Sequence, residues 1–357
     1  MPESEHEPRA GGVIANINDP ILVTGAAGFI GTRVVGNLIQ RGFKNIRCLV
    51  RETSNLTRLN EVAGRKTDDV RLHLFKGNLL AKEDCLNMTR EVVLIYHLAA
   101  GTGTKAFSDA FLNSVVTTRN LLDAALENKS LRRFVNVSSF AVYTNRNKRR
   151  ARLLDEDSPV EKHPESRAEA YCYGKVKQDE LVMKYGRERR FPYVIVRPGS
   201  VYGPGKCFVP GRVGIDTFGV FLHMGGSNRI PLTYVDNCAE AIVLAGLTPG
   251  VDGEVFNIVD DPQPSSRQFL KLYKKNVRDF KSAYMPHPVS WLFCFLWEKL
   301  SAWSRGQVPR AFTRREWSAY WAKTGYANNK LKDRLGWVPR ISLHEGLRSF
   351  FNACKGK

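Results

Sequence analysis

The stretch ILVTGAAGFIG, residues 21–31, decides how this chain folds. Ile21, Leu22, Val23 and Thr24 make a short apolar run with the length and β-branching of a buried strand. Gly25 ends it. Apolar residues then recur at helical spacing, at Ile30, Val34, Leu38 and Ile39, until Gly42 stops the pattern, giving a helix over 29–40. Three glycines punctuate the turn between strand and helix. Gly25 permits the tight exit from the strand, Gly28 lets a bound group approach the backbone where a Cβ would intrude, and Gly31 lets the helix pack close to the sheet. The free N–H groups at the start of the helix, near Phe29 and Ile30, then face outward as a ready anion site. A lone glycine triplet is only a loop, but one that follows a strand and opens a helix is a cradle for the phosphates of a dinucleotide.

Outward from this unit the alternation repeats. Strands are expected at 46–50, 70–75, 92–97, 133–137 and 193–197, and helices at 111–128 and 170–185. Apolar strands alternating with helices imply an α/β fold, a doubly wound parallel sheet of Rossmann type covered on both faces. The character changes after Pro198. Residues 199–233 are rich in Gly and Pro and read as loops, 238–247 return to a helix, and 253–258 read as a strand that rejoins the sheet. From Pro262 the pattern is mainly helical. The expected organisation is a flexible tail over 1–18, an NAD(P)-binding Rossmann domain of 19–198 plus 234–260, and a smaller, mainly helical C-terminal substrate lobe of 199–233 plus 261–357.

At 357 residues the chain is too long for one small core and fits a large α/β unit with a second lobe. Its 43% apolar and 25% charged residues exclude a wholly disordered or fibrous protein. The net charge of +19, from 54 basic and 35 acidic side chains, favours anionic partners: nucleotides, phosphorylated substrates, nucleic acid or an anionic membrane face. The densest basic run, residues 146–152, reads as a solvated surface loop, and no nucleic-acid partner is expected. Seven cysteines without a C-x-x-C pair suggest a reduced, cytoplasmic protein rather than a disulfide framework. The histidines lack H-E-x-x-H spacing, so no metal site is expected. The acidic N-terminus lacks signal-peptide character, and no apolar run approaches the roughly 20 residues that span a bilayer.

Two positions bear on cofactor and chemistry. An acidic residue at the end of the second strand would hold a ribose 2′-hydroxyl, and a basic one would accept a 2′-phosphate. Arg51 stands there, which favours NADP over NAD, while Glu52 beside it keeps NAD open. Tyr171 and Lys175, in YCYGK, lie four apart on one face of a predicted helix. A phenol with a pKa near 10 is a poor base at neutral pH. A neighbouring ammonium and a cationic nicotinamide would favour the phenolate, which could take a proton from a substrate hydroxyl while hydride leaves the same carbon. Tyr173 and Lys177 share the same spacing, so the pattern alone does not single out one pair.

The motifs around these residues resemble the extended short-chain dehydrogenase/reductase family. They occur in order as TGAAGFIG at 24–31, HLAA at 97–100, VSSFAVY at 137–143, YCYGK at 171–175, VRPGSVYGPG at 196–205, PLTYVDN at 231–237 and LGWVPRISLHEGL at 335–347. This family includes nucleotide-sugar epimerases and dehydratases, 3β-hydroxysteroid dehydrogenases and dihydroflavonol reductases. The resemblance implies that Tyr171 is the catalytic base and that Lys175 bonds the nicotinamide ribose. It implies that Ser139, rather than Ser138, hydrogen-bonds the reacting oxygen, and that Asn113 supports the site. Gly25, Gly28, Phe29, Ile30 and Gly31 would hold the diphosphate. Arg51, Asn78, Leu79, Ala99, Ala100 and Pro198 would complete the cofactor groove. Gly174 stands where the family usually has Ser. Phe140 and Ala141 stand where 4,6-dehydratases carry an Asp-Glu pair, which speaks against water elimination.

The function expected is hydride transfer at a secondary alcohol or ketone, by epimerisation or simple oxidoreduction, with a nucleotide sugar as substrate and a homodimer as assembly. Arg197, Lys206, Arg212 and Arg229 are candidate diphosphate contacts. The aromatic stretch 288–300 is read first as a packed lobe helix; its alternative is peripheral membrane contact or a lipophilic pocket, which would suit a steroid- or flavonoid-like alcohol. A non-catalytic dinucleotide-binding or RNA-associated protein is the reading from another class.

Overall fold

Seven apolar runs pair into one all-parallel sheet in the computed structural model, which describes residues 12–64, 70–101, 106–145, 153–167, 169–217, 219–305, 307–309 and 312–355. Its strands are β1 (Ile21–Thr24), β2 (Asn45–Val50), β3 (Arg71–Lys76), β4 (Leu94–His97), β5 (Arg133–Val137), β6 (Tyr193–Pro198) and β7 (Val255–Ile258). Their spatial order is β3-β2-β1-β4-β5-β6-β7. The order reverses between β1 and β4, and in such sheets ligands bind at that switch point, beyond the carboxyl ends of the strands. Every residue of β1, β4 and β5 is buried, as expected of strands covered on both faces, whereas the edge strand β3 is largely exposed.

Helices cover both faces. They are α1 (Gly31–Gln40), α2 (Thr57–Gly64), α3 (Lys82–Thr89), α4 (residues 107–127, with a π-helical stretch at Phe111–Val116), α5 (Ala170–Arg189) and α6 (Val235–Leu247). Val34, Val35 and Leu38 of α1 meet Cys238, Ala241 and Ile242 of α6 over one face. Cys85 and Met88 of α3, Leu121 and Leu122 of α4 and Val182 of α5 fill the other. Beyond the sheet lie α7 (Ser266–Asn276), α8 (His287–Trp303), α9 (Arg314–Tyr320), α10 (Asn329–Leu335) and α11 (Leu343–Cys354). Phe269 and Tyr273 of α7 pack with Phe350 and Phe351 of α11 around Tyr202 and Phe221, a separate aromatic core.

Several expectations need correction. The segment 199–233 is not all loop. Ser200–Tyr202 pairs in parallel with Leu232–Tyr234, and Gly214–Thr217 forms a hairpin with Val220–His223 that Ser282–Tyr284 extends. These strands have three or four residues each, too few for alternation to register. Residues 12–18, expected in a loose tail, are held: the Ile14 amide donates to Leu247, its carbonyl accepts from Arg132, and Ala15 is buried. Nor are all cysteines reduced. Cys207 and Cys354, 147 residues apart, form a disulfide with Cα atoms 5.4 Å apart, and no sequence spacing could have announced it. The basic run 146–152 lies outside the described residues.

Candidate active site

The turn after β1 is shaped by contacts that side chains would break. Gly25 adopts φ +69°, and a Cβ there would stand 2.9 Å from the Ala99 nitrogen. A Cβ on Gly31 would stand 2.1 Å from the Gly25 carbonyl oxygen, so only glycine lets α1 begin this close to the strand. The Gly28 amide donates to Gly25 at 2.9 Å and closes the turn. Among the described residues no backbone carbonyl accepts from the amides of Phe29 and Ile30. These donors at a helix start, beside an exposed Gly28, fit the diphosphate of a dinucleotide. Ala99 and Ala100 are half-buried just past β4, and the Ala99 amide donates to Thr24 Oγ1 at 3.3 Å. Pro198 closes β6. Arg51 is exposed at the end of β2, with its amide bonded to Ser54 Oγ. Asn78 caps a turn by accepting from the Leu80 amide, and the buried Leu79 gives its carbonyl to Asn120.

Across the switch point, α5 brings Tyr171 to Ser139. Ser139 follows β5 and starts the tight turn Phe140–Val142, its Oγ accepting from the Ala141 amide at 3.1 Å. The same side chain lies beside the Tyr171 phenol, close enough to favour its ionised form. Ser138, one residue earlier, is buried and donates to Asp179 at 2.8 Å. Lys175 is 4% exposed; its Nζ donates to the Val137 carbonyl at 2.6 Å and to Gln178 Oε1 at 2.9 Å. Tyr173 instead packs edge-on against Phe107, and Lys177 pairs with Glu180 at 3.0 Å, so the second tyrosine–lysine pair serves helix packing and a surface ion pair. Gly174 has a packing reason, since a Cβ there would come within 3.2 Å of Ser114 Oγ on α4.

The electrostatics differ from the sequence expectation. Burial pushes the Tyr171 phenol above its ordinary pKa, the Ser139 side chain opposes this, and the Glu169 and Asp179 carboxylates add to it. The Lys175 ammonium, one turn along α5, is held by Val137 and Gln178. Burial also pulls the Lys175 ammonium down to about 8, against the pull of Asp179.

A buried polar chain that the sequence reading missed links the two halves of the site. Gln178 Nε2 donates to Thr118 Oγ1 at 2.8 Å, Thr118 meets His97 Nε2 at 2.9 Å, and His97 Nδ1 meets Thr24 Oγ1 at 2.8 Å. Thr118 spends its own proton on the Ser114 carbonyl at 2.5 Å. His97 therefore donates from Nε2, and as a neutral ring it accepts from Thr24 at Nδ1. Burial, helped by the nearby Lys175 charge, holds its pKa down at about 3. The signal was in the sequence: His97 belongs to HLAA, and Gln178 lies three residues beyond Lys175 on the same helix face.

Four proposed substrate cations occupy four different surroundings. Arg197 is 2% exposed and committed to Asp179 at 3.2 Å and to Tyr143 at 3.0 Å. Arg212 is 5% exposed, bonded to the Ala319 carbonyl at 2.6 Å and the Tyr326 hydroxyl at 3.1 Å, and stacked over Tyr320. Both are internal ties rather than free diphosphate contacts, because burying a guanidinium requires such partners. Lys206 is exposed over the Phe208 ring, next to the disulfide, and Arg229 is exposed and bonded to the Gln263 carbonyl. Asn113 uses its amide on Asp109 one turn back; the neighbouring Ser114, accepting from Gly101 at 3.1 Å, faces inward instead. No cluster able to hold a metal ion occurs among the described residues.

The sequence profile of the NAD dependent epimerase/dehydratase family matches residues 21–258. The chain is 31% identical over 257 residues to a trifunctional UDP-glucose 4,6-dehydratase/UDP-4-keto-6-deoxy-D-glucose 3,5-epimerase/UDP-4-keto-L-rhamnose-reductase of Arabidopsis thaliana, covering 67% of this chain and only 36% of that protein. It is 25% identical to the N-acetyl-alpha-D-glucosaminyl-diphospho-ditrans,octacis-undecaprenol 4-epimerase of Escherichia coli O157:H7, over 78% of this chain and 80% of that one. Among solved structures, the UDP-glucuronic acid 4-epimerase of Bacillus cereus in complex with UDP-glucuronic acid and NAD has the same fold, with a TM-score of 0.69 at 21% identity over 94% of this chain and 98% of that one.

Proposed function

Because the chain belongs to the NAD dependent epimerase/dehydratase family, we propose that it moves a hydride at a secondary alcohol carbon of a nucleotide-activated sugar, with Tyr171 exchanging the hydroxyl proton. One observation carries this reading: the Tyr171 phenol neighbours Ser139, one turn from the buried Lys175, across the switch point from a glycine turn whose free amides suit a diphosphate. When bound, the nicotinamide supplies or accepts the hydride. The residues of the chain do the rest. Gly25, Gly28 and Gly31 leave room for the diphosphate, and Phe29 and Ile30 donate to it. Ser139 orients the reacting oxygen, and Tyr171 gives or takes its proton. Lys175 holds Val137 and Gln178 in place and would lend its positive charge to the nicotinamide ribose of a bound dinucleotide.

NADP is the proposed preference within this reading. The exposed Arg51 at the end of β2 supports this, because a basic residue there would accept a 2′-phosphate. Phe140 and Ala141 leave no carboxyl pair at the site's edge, which favours epimerisation or oxidoreduction over dehydration. The exposed Phe107, Phe111 and Leu112 of α4 offer an apolar face for a homodimer. A second substrate reading, a lipophilic alcohol or lipid-linked sugar, is favoured by the exposed apolar side of α8. A panel of nucleotide sugars, lipid-linked sugars and sterols, followed by nicotinamide absorbance and product stereochemistry, separates the two. Turnover confined to sterols or other lipids would overturn the nucleotide-sugar reading.

A further inference from the structure

Helix α8 packs Phe293 and Trp297 on Phe312 but presents a row of apolar side chains outward. Against the lobe it buries small residues, Ser290, Cys294 and Ser301. Ser290 Oγ accepts from the Trp317 indole at 2.8 Å, and Ser301 donates to the Val308 carbonyl at 2.7 Å. Facing away, Val289, Leu292, Leu296, Leu300 and Trp303 are 53%, 49%, 56%, 44% and 82% exposed. At about 3.6 residues per turn, these positions fall within an arc of roughly 80°. A helix packed only on its own lobe would show the opposite distribution. Single exposed leucines need no explanation, but a continuous stripe along a whole helix marks an interaction surface.

Length and charge indicate the occupant. The 17 residues of α8 extend about 25 Å, and among the described residues no helix is long and apolar enough to cross a membrane. Such a helix lies in the plane of a bilayer surface. Trp303, within the stripe at the end of the helix, suits the boundary between headgroups and acyl chains. The surroundings are basic, with seven Lys and Arg against two acidic residues between positions 278 and 315. Both acids are already paired, Glu298 with Arg314 at 2.7 Å and Asp279 with Lys274 at 3.1 Å. Lys299, which lies over Phe295, borders the stripe as a cation. A second copy of this chain would bring the same +19 charge to the contact, whereas an anionic lipid face complements it.

We propose that α8 docks the protein on an anionic lipid surface, with the 289–303 stripe in the acyl boundary and the surrounding Lys and Arg at the headgroups. The inference holds for either substrate reading. It places the site near the bilayer, since Trp317 of α9 bonds Ser290 while Tyr320 of α9 bonds Glu169 at the start of α5.

Vesicle flotation of the full chain tests it. With phosphatidylcholine containing about 30 mol% phosphatidylglycerol, the protein floats. Partitioning falls at least about tenfold with phosphatidylcholine alone, or in roughly 0.5 M salt, where exposed charges are screened. The double substitution Leu296→Gln and Leu300→Gln lowers it about tenfold again, while an unchanged circular-dichroism melt shows that the variant is folded. Equal flotation of variant and wild type, or none on anionic vesicles, overturns the proposal. A concentration-dependent dimer that the double variant abolishes, without vesicle binding, assigns the stripe to a second copy instead.

Discussion

Replacing Lys175 by Met removes a charge that the fold holds away from water. Its ammonium is 4% exposed and titrates at about 8, because burial disfavours the charged form. In the unfolded chain a lysine titrates near 10.4. Between these two values the native state binds fewer protons than the unfolded one, so native stability rises with pH across that window. The gap corresponds to roughly 3 kcal/mol, about 1.4 kcal/mol for each pH step. The Met variant lacks this contribution and leaves Val137 and the Gln178 oxygen without their donor, a loss that is constant with pH. Urea unfolding of both proteins from pH 7 to 10.5 measures the difference directly. The stability of wild type relative to variant should climb by roughly 3 kcal/mol, most of it above pH 8. Parallel curves would refute the claim that this lysine is buried and charged at neutral pH.

Other perturbations test the neighbouring parts. Gly31→Ala places a Cβ 2.1 Å from the Gly25 oxygen, so α1 must retreat; about 1–3 kcal/mol of stability and at least about tenfold in dinucleotide affinity should be lost, read by denaturant melts and NADPH fluorescence. Tyr171→Phe should lower turnover by about 10²–10⁴ while leaving cofactor affinity within about twofold. His97, with a pKa of about 3, should show no shift of its ring resonances between pH 5 and 8. Its folded pKa lies below the unfolded value near 6.5, so its contribution to stability is present above that value and is lost as pH falls towards 3.

The Rossmann sheet was legible because its strands are continuous apolar runs set between periodic helices, and β5 was read to the residue. Helices α2 and α3 were not read, since each shows too little apolar periodicity: α3 buries only Cys85, Met88 and Thr89. Tyr171, Lys175 and Ser139 stand out by motif, and the fold sets Ser139 beside Tyr171. The roles suggested for Arg197 and Arg212 failed because a cation's sequence position says nothing about whether a carboxylate or a carbonyl waits inside for it. Asp179 and Ala319, their partners, lie 18 and 107 residues away. The chain from Lys175 to Thr24 escaped for the same reason, being assembled from four separate segments.

The most direct test of the central claim is titration of the purified protein with NADPH and NADH, reading energy transfer from tryptophan to the reduced nicotinamide. Saturable binding below about 1 mM, tighter for NADPH and weakened by Gly31→Ala, is the predicted result. Absence of any saturable signal with either dinucleotide at millimolar concentration would contradict it.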